Sequence, residues 1–239
     1  MITAVSNRTA IYTPPRFGGH EAAAPQTSSG QPASHPIPLT LNPAAIEYQN
    51  PFFTVVNDQN QYYLEYPNSY GSVNVIPVVR KNGELFVHLL ETRRPSMKGK
   101  ITLELAGGNV GDEDHQESWE AAARRELTEE TGYKARSLWS IPVDFNFEQR
   151  TSRVRRFMLA DCGDARDVAE RHLDLEEQDV IVDSRLVPVK TLQDDFLGWA
   201  QQMAGEGYIV YGNVSTAAAM LNSPEVRSRL NGFRLDKTA

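Results

Sequence analysis

The sequence predicts a mixed α/β fold. Short segments rich in Val, Ile, Phe and Tyr recur between residues 52 and 189, and helical segments interrupt and follow them. Their order lacks the regular strand-helix-strand repeat of a doubly wound parallel sheet. The chain of 239 residues is long enough for one sizeable core with additional segments around it.

Residues 1–45 are predicted to be a disordered leader. Seven of the 14 prolines lie between Pro14 and Pro43, and only three charged residues precede Glu47. A segment rich in Pro, Ser, Ala and Gly cannot bury enough apolar surface to offset the entropy that it loses on ordering. We therefore expect no packed structure in this segment.

Residues 46–70 are predicted to form a small β-hairpin region. Its two strands are residues 52–56 and 61–65, which are rich in aromatic and β-branched side chains. Residues 57–60, with the sequence Asn-Asp-Gln-Asn, separate the strands and are typical of a hairpin turn.

Residues 71–239 are predicted to form the main domain. Its first two core strands are residues 73–79 and 85–90, and the sequence Lys-Asn-Gly at residues 81–83 predicts the turn between them. Three further strands are predicted at residues 138–143, 154–159 and 180–189.

Three helices are predicted in the same domain, at residues 118–131, 192–204 and 215–221. The first has the clearest limits. Ser118 is a suitable N-cap, and the residues after it include three alanines and a leucine, which are strong helix formers. Gly132 is the expected end of the helix.

Glu126, Glu129 and Glu130 lie in this first helix at three- and four-residue spacing. Each residue of an α-helix rotates the side chain by about 100°, so the three carboxylates share one face. Like charges at this spacing repel each other, and hard oxygen ligands on a compact anionic face suit Mg²⁺ or Mn²⁺. A solvated acidic face is the alternative interpretation.

These glutamates belong to a longer pattern. Its seven positions are Gly111, Glu117, Arg125, Glu126, Glu129, Glu130 and Gly132. A chance match somewhere in a chain of this length has a probability of roughly 10⁻⁶. The pattern resembles the Nudix box, G-x5-E-x7-R-E-U-x-E-E-x-G-U, in which U is a bulky apolar residue and the last U is here the aromatic Tyr133.

The resemblance implies an α/β/α sandwich with a mixed sheet, and hydrolysis of a nucleoside diphosphate linked to another group. Upstream, residues 103–108 are similar to the E-L-P-A-G run of ADP-ribose pyrophosphatases, but they lack its proline. We therefore expect a pyrophosphohydrolase of ADP-ribose or a related nucleoside diphosphate sugar. NADH, nucleoside triphosphates, dinucleoside polyphosphates and coenzyme A are alternative substrates, and a non-catalytic Nudix-fold binding module is the alternative function.

The expected cofactor is Mg²⁺, with Mn²⁺ as a substitute. Glu126 and Glu130 are expected to bind the metal directly, and Glu129 to act as a ligand or a general base. Glu117 is expected to bind a further ion or to support a ligand. Arg125 is expected to orient a carboxylate.

The loop before the helix leaves two candidates for a backbone carbonyl ligand. Family members commonly carry a Gly-Gly pair six residues before the first glutamate, whereas Gly107 and Gly108 end nine residues before Glu117. An insertion of about three residues is implied. Either Gly111 or the glycine pair fills the role of this loop.

A later acidic loop commonly supplies a further base in this family. Residues 173–179, with the sequence Leu-Asp-Leu-Glu-Glu-Gln-Asp, precede the last predicted strand, where such a loop belongs. Glu177 is the leading candidate for this base, and Glu176 fits nearly as well.

The candidates for phosphate binding are four arginines, Arg93, Arg94, Arg153 and Arg155. The planar fork of arginine suits phosphate oxygens. Strand alternation points Arg153 and Arg155 to one face and Arg156 to the other, and a charged, solvated edge strand is the alternative interpretation. Tyr62 of the hairpin region is a candidate for stacking on the nucleobase, with packing in the sheet as the alternative.

Composition restricts the partners. A net charge of −7 argues against a nucleic-acid polymer as the main partner, because duplex binding normally uses a basic surface. No apolar run approaches about 18 residues, so no membrane partner is expected. Small N-terminal sheets help to form dimers in the ADP-ribose pyrophosphatase branch, so a homodimer is a further expectation.

The expected location is cytoplasmic. The lone Cys162 cannot form an intramolecular disulfide and is interpreted as a small buried hydrophobe rather than a nucleophile. The alternative is a secreted effector that acts in a host cytosol. The leader resembles the unstructured N-termini of bacterial type III effectors, some of which carry Nudix domains.

Overall fold

Two β-sheets and six helices make up the part of the chain that the computed structural model describes, which is residues 45–66, 68–111, 114–147, 151, 153–173 and 175–235. The predicted leader, residues 1–45, lies outside the described residues except for its last position. The expectations for the leader therefore stay predictions.

The smaller sheet contains three antiparallel strands in the order β1 (Ile46–Gln49), β2 (Thr54–Asp58) and β3 (Gln61–Glu65). The predicted hairpin is confirmed as β2 and β3. Gln59 and Asn60 join them with φ values of 50° and 67°, the left-handed pair that a two-residue hairpin turn requires. β1 was not predicted, because four residues next to a proline-rich segment give too short a pattern.

Eight strands of the described chain form the larger sheet: β4 (Gly71–Lys81), β5 (Glu84–Thr92), β6 (Thr102–Glu104), β7 (Asn109–Val110), β8 (Ser137–Phe145), β9 (Arg155–Asp164), β10 (Ile181–Pro188) and β11 (Ile209–Val210). The order is β11-β6-β5-β4-β9-β8, with β10 also paired to β5 and β7 to β4. β4 is parallel to β9 and β11 is parallel to β6, whereas the other pairs are antiparallel. The predicted mixed sheet is confirmed.

All five predicted core strands are present in this sheet. The turn between β4 and β5 lies at Asn82 and Gly83, whose φ values are 53° and 82°. β6, β7 and β11 were not predicted, because strands of two or three residues are too short to show an alternating pattern.

The helices are α1 (Trp119–Thr131), α2 (Leu175–Gln178), α3 (Val189–Asp194), α4 (Phe196–Gly205), α5 (Gly212–Leu221) and α6 (Pro224–Leu235), and a 3-10 helix covers Pro95–Met97. The single helix predicted at residues 192–204 is wrong. Asp195, with φ −148° and ψ 52°, ends α3, and its side chain accepts a hydrogen bond from Gly198 N and thereby caps α4. None of the helices in the described ranges has the length and apolar character needed to cross a bilayer.

The helices cover both faces of the larger sheet. On one face, Val73 and Val75 of β4 belong to the core that contains Leu127 of α1. On the other face, Ile76 and Val78 belong to the core with the larger helical layer. That core includes Leu192, Trp199, Val214, Leu221 and Leu230. Strand alternation therefore builds the expected α/β/α sandwich.

The loop between β6 and β7 is held against the beginning of β4. Val73 N donates to the carbonyl oxygen of Gly108 at 2.9 Å, and Val75 N donates to that of Ala106 at 2.8 Å. These backbone bonds place the glycine pair of the loop beside α1.

Candidate metal centre

Helix α1 has the limits that the sequence predicts. The Ser118 side chain accepts a hydrogen bond from Ala121 N, and Gly132 ends the helix in the left-handed conformation at φ 76°. Within these limits, Glu126 and Glu130 are one turn apart and point into the protein. Their exposed fractions are only 4% and 6%.

A third carboxylate joins these two from another part of the chain. One carboxylate oxygen each of Glu126, Glu130 and Glu177 lies within 4.8 Å of the others. Glu177 belongs to α2, the single helical turn that occupies the predicted acidic loop. The side chain of Glu176 lies outside the described part of the chain. The structure thus brings the two strongest ligand candidates together with the leading candidate for a base.

Burial makes this cluster electrostatically costly. Desolvation raises the pKa of Glu126 to about 8, with Glu177 and Glu129 adding to the rise and Arg125 opposing it. Desolvation and then the neighbouring Glu126 raise the pKa of Glu130 well above its ordinary value. Three acidic oxygens in such a site favour either protonation or a bound cation.

Arg125 links the outer carboxylates of the site. Its Nε donates to Glu117 at 3.0 Å, and its Nη1 donates to Glu126 at 2.9 Å and to Glu129 at 3.2 Å. Its Nη2 donates to the carbonyl oxygen of Asn109 at 3.2 Å and so reaches the loop before α1. The guanidinium therefore holds three glutamates of the motif in fixed positions. Glu129 differs from its buried neighbours, because its side chain is 32% exposed.

The glycines of the loop pack directly on the carboxylates. Gly107 N donates to Glu130 at 2.7 Å. A Cβ on Gly108 would lie 2.6 Å from Cδ of Glu126, so only glycine leaves room for that carboxylate. Gly111, with φ 88°, instead donates from its N to Glu117 at 3.3 Å. The glycine pair thus contacts the buried cluster, and Gly111 contacts the outer glutamate.

A cleft of about 590 Å³ opens beside the cluster. Its polar lining residues include Ser72, Asn74, Arg94, Glu104, Asn109, Arg125, Glu126, Glu129, Arg153, Arg155, His172, Glu177, Tyr211 and Asn213. The cleft is therefore lined by both carboxylates and guanidinium groups.

Arg153 and Arg155 both line the cleft, but only Arg155 lies in β9, so the predicted strand alternation does not account for the position of Arg153. The Arg153 guanidinium lies 4.3 Å from the ring centre of Tyr66, and that of Arg155 lies 5.6 Å from the ring centre of Phe147. Arg156 faces elsewhere, where it pairs with Asp144 and lies over the Trp119 ring.

Arg94 also lines the cleft, and it is ion-paired there. Its Nε and Nη2 donate to the two carboxylate oxygens of Glu104 at 3.1 and 2.9 Å. Thr92 donates to the same carboxylate at 2.8 Å. Hydrogen bonding to Glu104 raises the pKa of Arg94. The carboxylate of Glu104 is therefore already occupied by donors.

Two predicted substrate contacts lie away from the cleft. Arg93 is exposed and is not among the lining residues, although its backbone N donates to the carbonyl oxygen of Val180. Tyr62 is 52% exposed on β3, and its hydroxyl accepts a hydrogen bond from Asn57 at 3.1 Å. The structure does not bring these two side chains to the carboxylates.

The cleft residues that were missed in the sequence include Ser72, Asn74 and Asn213. All three are buried, and Asn213 Nδ2 donates to Asn74 Oδ1 at 2.9 Å. A signal existed for Asn74, because it interrupts the apolar run of a core strand. Asn213 lies 139 positions later, and no local pattern connects the two.

Cys162 lies in the core that contains α1 and is 2% exposed. Burial raises the pKa of its thiol to about 12. The thiol stays protonated at neutral pH, in agreement with its interpretation as a small buried hydrophobe.

The family model of the NUDIX domain matches residues 70–204, which is more than half of the 239-residue chain. The matched range contains α1, the glycine loop and Glu177, whereas Asn213 lies beyond its end. No curated protein matches the chain.

Proposed function

This chain belongs to the Nudix family, whose members hydrolyse compounds linked to a nucleoside diphosphate, and from this membership we propose that it cleaves the diphosphate of ADP-ribose or a related nucleoside diphosphate sugar. The observation that carries the proposal is the cluster of Glu126, Glu130 and Glu177 beside a cleft with guanidinium groups. Carboxylates that bind a cation and arginines that bind phosphate are the two requirements of this reaction.

The carboxylate cluster fits Mg²⁺, with Mn²⁺ as a substitute. Hard oxygen ligands suit these ions. Burial, and to a smaller extent the neighbouring carboxylates, raises the pKa values of Glu126 and Glu130, and a bound cation would stabilise their charged forms. Glu126, Glu130 and Glu177 would hold the ion, and Glu117 would serve a further ion or support a ligand. When bound, such an ion activates water and neutralises phosphoryl charge.

The chain's own residues have distinct roles in this proposal. Arg125 orients Glu126 and Glu129 through its hydrogen bonds at 2.9 and 3.2 Å. Glu129 is the more exposed carboxylate and is proposed to accept the proton of the attacking water. Glu177 is proposed as a second candidate for this base, and its place in the cluster supports a ligand role equally well.

For the backbone ligand, the proposal stays between Gly111 and the glycine pair. Gly107 and Gly108 line the cleft and touch the buried glutamates, which supports the pair. The hydrogen bond from Gly111 to Glu117 supports a place for Gly111 in the outer part of the site.

On the substrate side, Arg153 and Arg155 are proposed to bind phosphoryl oxygens, because both line the cleft. Arg94 is proposed in addition, since it lines the same cleft. The proposals for Arg93 and Tyr62 draw no support from the cleft.

We also propose a homodimer in the cytoplasm. Tyr48, Phe52 and Tyr62 of the N-terminal segment are each more than half exposed, and large exposed aromatic side chains favour a protein interface. A single buried cysteine is compatible with a reducing compartment. The alternative, secretion as an effector, rests on the composition of residues 1–45 alone.

The test is a comparison of ADP-ribose, NADH, GDP-mannose and dATP at equal concentration with Mg²⁺. We expect ADP-ribose to give AMP and ribose 5-phosphate faster than dATP is cleaved. If dATP or NADH is cleaved about tenfold more efficiently, the diphosphate hydrolase stands and the substrate is wrong. If none of the four is cleaved with Mg²⁺ or Mn²⁺, the proposed substrate is wrong, and dinucleoside polyphosphates, coenzyme A and a binding module are the alternatives to test next.

A further inference from the structure

The floor of the cleft contains two buried polar side chains on one face of β4. Ser72 and Asn74 are two residues apart, so they point the same way, and they are 9% and 5% exposed. Both line the cleft. In a strand that is otherwise apolar, each polar group lowers stability unless it finds a partner.

A chain of hydrogen bonds sets the orientation of the Asn74 amide. Leu105 N–H points at Asn213 Oδ1 at 3.5 Å, and Asn213 Nδ2 donates to Asn74 Oδ1 at 2.9 Å. A backbone N–H group can only donate, so the amide atom of Asn213 that faces Leu105 N is the oxygen, and the other amide atom is the nitrogen. The Asn213 nitrogen in turn assigns the Asn74 oxygen, and Asn74 therefore presents its Nδ2 group on the remaining side.

The Nδ2 group of Asn74 is a buried donor without an acceptor among the described residues. Leaving such a donor unpaired is destabilising. The residue also lies next to the carboxylate cluster. A Cβ on Gly107 would be 3.0 Å from the Asn74 Cα, and Gly107 N donates to Glu130. The donor is therefore buried at the edge of the site where the reaction is proposed.

The groups around Asn74 indicate what it binds. Ser72 pairs in register with Arg155 on the neighbouring strand, so a guanidinium lies beside the same floor. Glu104, a lining carboxylate outside the proposed metal centre, is already bound by Arg94 and Thr92. An ammonium group cannot accept a hydrogen bond from Nδ2, and a hydroxyl that accepted one would still need an acceptor for its own hydrogen, whereas a phosphoryl oxygen needs only donors.

We infer that Asn74 donates a hydrogen bond from Nδ2 to a phosphoryl oxygen of the bound diphosphate, and that Asn213 is a positioning residue that holds this amide in its donating orientation. The inference rests on the proposed hydrolysis of a nucleoside diphosphate. It adds a contribution from α5, because Asn213 lies outside the matched range of residues 70–204.

The first test is Asn74→Leu, which removes the donor without a change of charge and with little change of volume. One hydrogen bond to a charged phosphoryl oxygen, made equally to substrate and transition state, is worth a factor of roughly 10–100. We therefore expect KM for ADP-ribose to rise by this factor while kcat changes by less than about threefold. A residue with a purely structural role would lower the melting temperature and leave KM unchanged.

The second test is Asn213→Asp, which keeps the shape but replaces a donor with an acceptor. Leu105 N–H and Asn74 Nδ2 would then both donate to the new carboxylate, and Asn74 would turn its oxygen towards the cleft. We expect KM to be larger than in Asn74→Leu and more than about tenfold larger than in the wild-type protein. Asn231→Asp is the control, because it adds the same charge at an exposed position on α6.

Binding of α,β-methylene-ADP with Mg²⁺, measured by calorimetry on the full chain, separates the inference from the proposed function. Weaker binding to both variants supports the inference even if the wild-type protein cleaves nothing. Active wild-type protein with unchanged affinity in Asn74→Leu overturns the inference and leaves the function standing. A loss confined to Asn213→Asp also overturns it, since charge repulsion would then be sufficient. Wild-type protein that neither cleaves nor binds overturns both.

Discussion

Among the individual residues of the site, Glu126 and Glu130 combine burial with mutual repulsion. Neither carboxylate exceeds 6% exposure, and Glu177 approaches both. A protein that keeps three acidic oxygens together in a site of low dielectric loses stability unless a cation or a proton is present. The burial of these carboxylates is therefore explained by cation binding, since it lowers the stability of the metal-free fold.

We expect Glu126→Gln and Glu130→Gln each to lower turnover by at least about 100-fold with the fold intact, because the substitutions remove charge rather than packing. Steady-state rates at saturating Mg²⁺ and far-UV circular dichroism check this. Glu120→Gln is the control on the same helix, since its side chain is 61% exposed and pairs only with Arg124 among the described residues. Wild-type rates in both test variants would show that these residues are not ligands.

The raised pKa of Glu126 predicts how pH affects stability. Its folded value of about 8 exceeds the ordinary 4.5, so the metal-free protein loses stability as pH rises between these values. Mg²⁺ replaces the proton, so the increase in melting temperature caused by Mg²⁺ should be larger at pH 8 than at pH 6. Scanning calorimetry with and without Mg²⁺ measures this, and Glu126→Gln should reduce the difference. An equal increase at both pH values would refute the proton–metal exchange.

At the scale of elements, the glycine loop acts as a spacer between β4 and α1. Gly107 and Gly108 are adjacent but are constrained differently. Gly107 has φ 151° and faces the backbone of β4, whereas a Cβ on Gly108 would meet only the flexible end of Glu126. A substitution at the first position therefore disturbs the fold, and one at the second disturbs the site.

Gly108→Ala should keep the fold and displace the Glu126 carboxylate, which lowers turnover by roughly 10- to 100-fold through misplacement of one ligand. Gly107→Ala should instead lower the melting temperature by several degrees. Gly205→Ala is the control, because open space surrounds that position in α4. Melting curves and rates of the three variants check the contrast, and equal losses of stability in Gly107→Ala and Gly108→Ala would contradict it.

The elements also explain what sequence reasoning could and could not predict. Ser118, Gly132 and the glutamate spacing act within one helix, so a local pattern predicted α1 and its acidic face correctly. The ion pair of Arg94 and the amide pair of Asn74 and Asn213 join distant segments, and no local pattern reports them. The break at Asp195 was missed for a different reason, because the apolar spacing continues through it while the side chain caps a new helix.

At the scale of the whole molecule, groups from both faces of the larger sheet contribute to one site. α1 provides Glu126 and Glu130 from one face of the larger sheet, and the strand face below the other helical layer provides Asn74 and Arg155. The cleft lies at the beginning of β4, where Ser72, Val73 and Asn74 line it. This arrangement explains how a chain with a net charge of −7 offers a diphosphate both guanidinium groups and neutral hydrogen-bond donors.

Deletion of residues 1–42 should leave melting temperature and turnover nearly unchanged, because this proline-rich segment lacks the periodic apolar pattern needed to dock on a core. Deletion of residues 1–66 is the contrasting variant. It also removes β1–β3, including Val56 at 1% exposure, and takes Tyr66 away from the Arg153 guanidinium. We expect this longer deletion to lower the melting temperature by several degrees and to weaken substrate binding. A large loss on the shorter deletion would show that the leader contributes to the folded protein, because this variant retains the N-terminal sheet and its contact with Arg153.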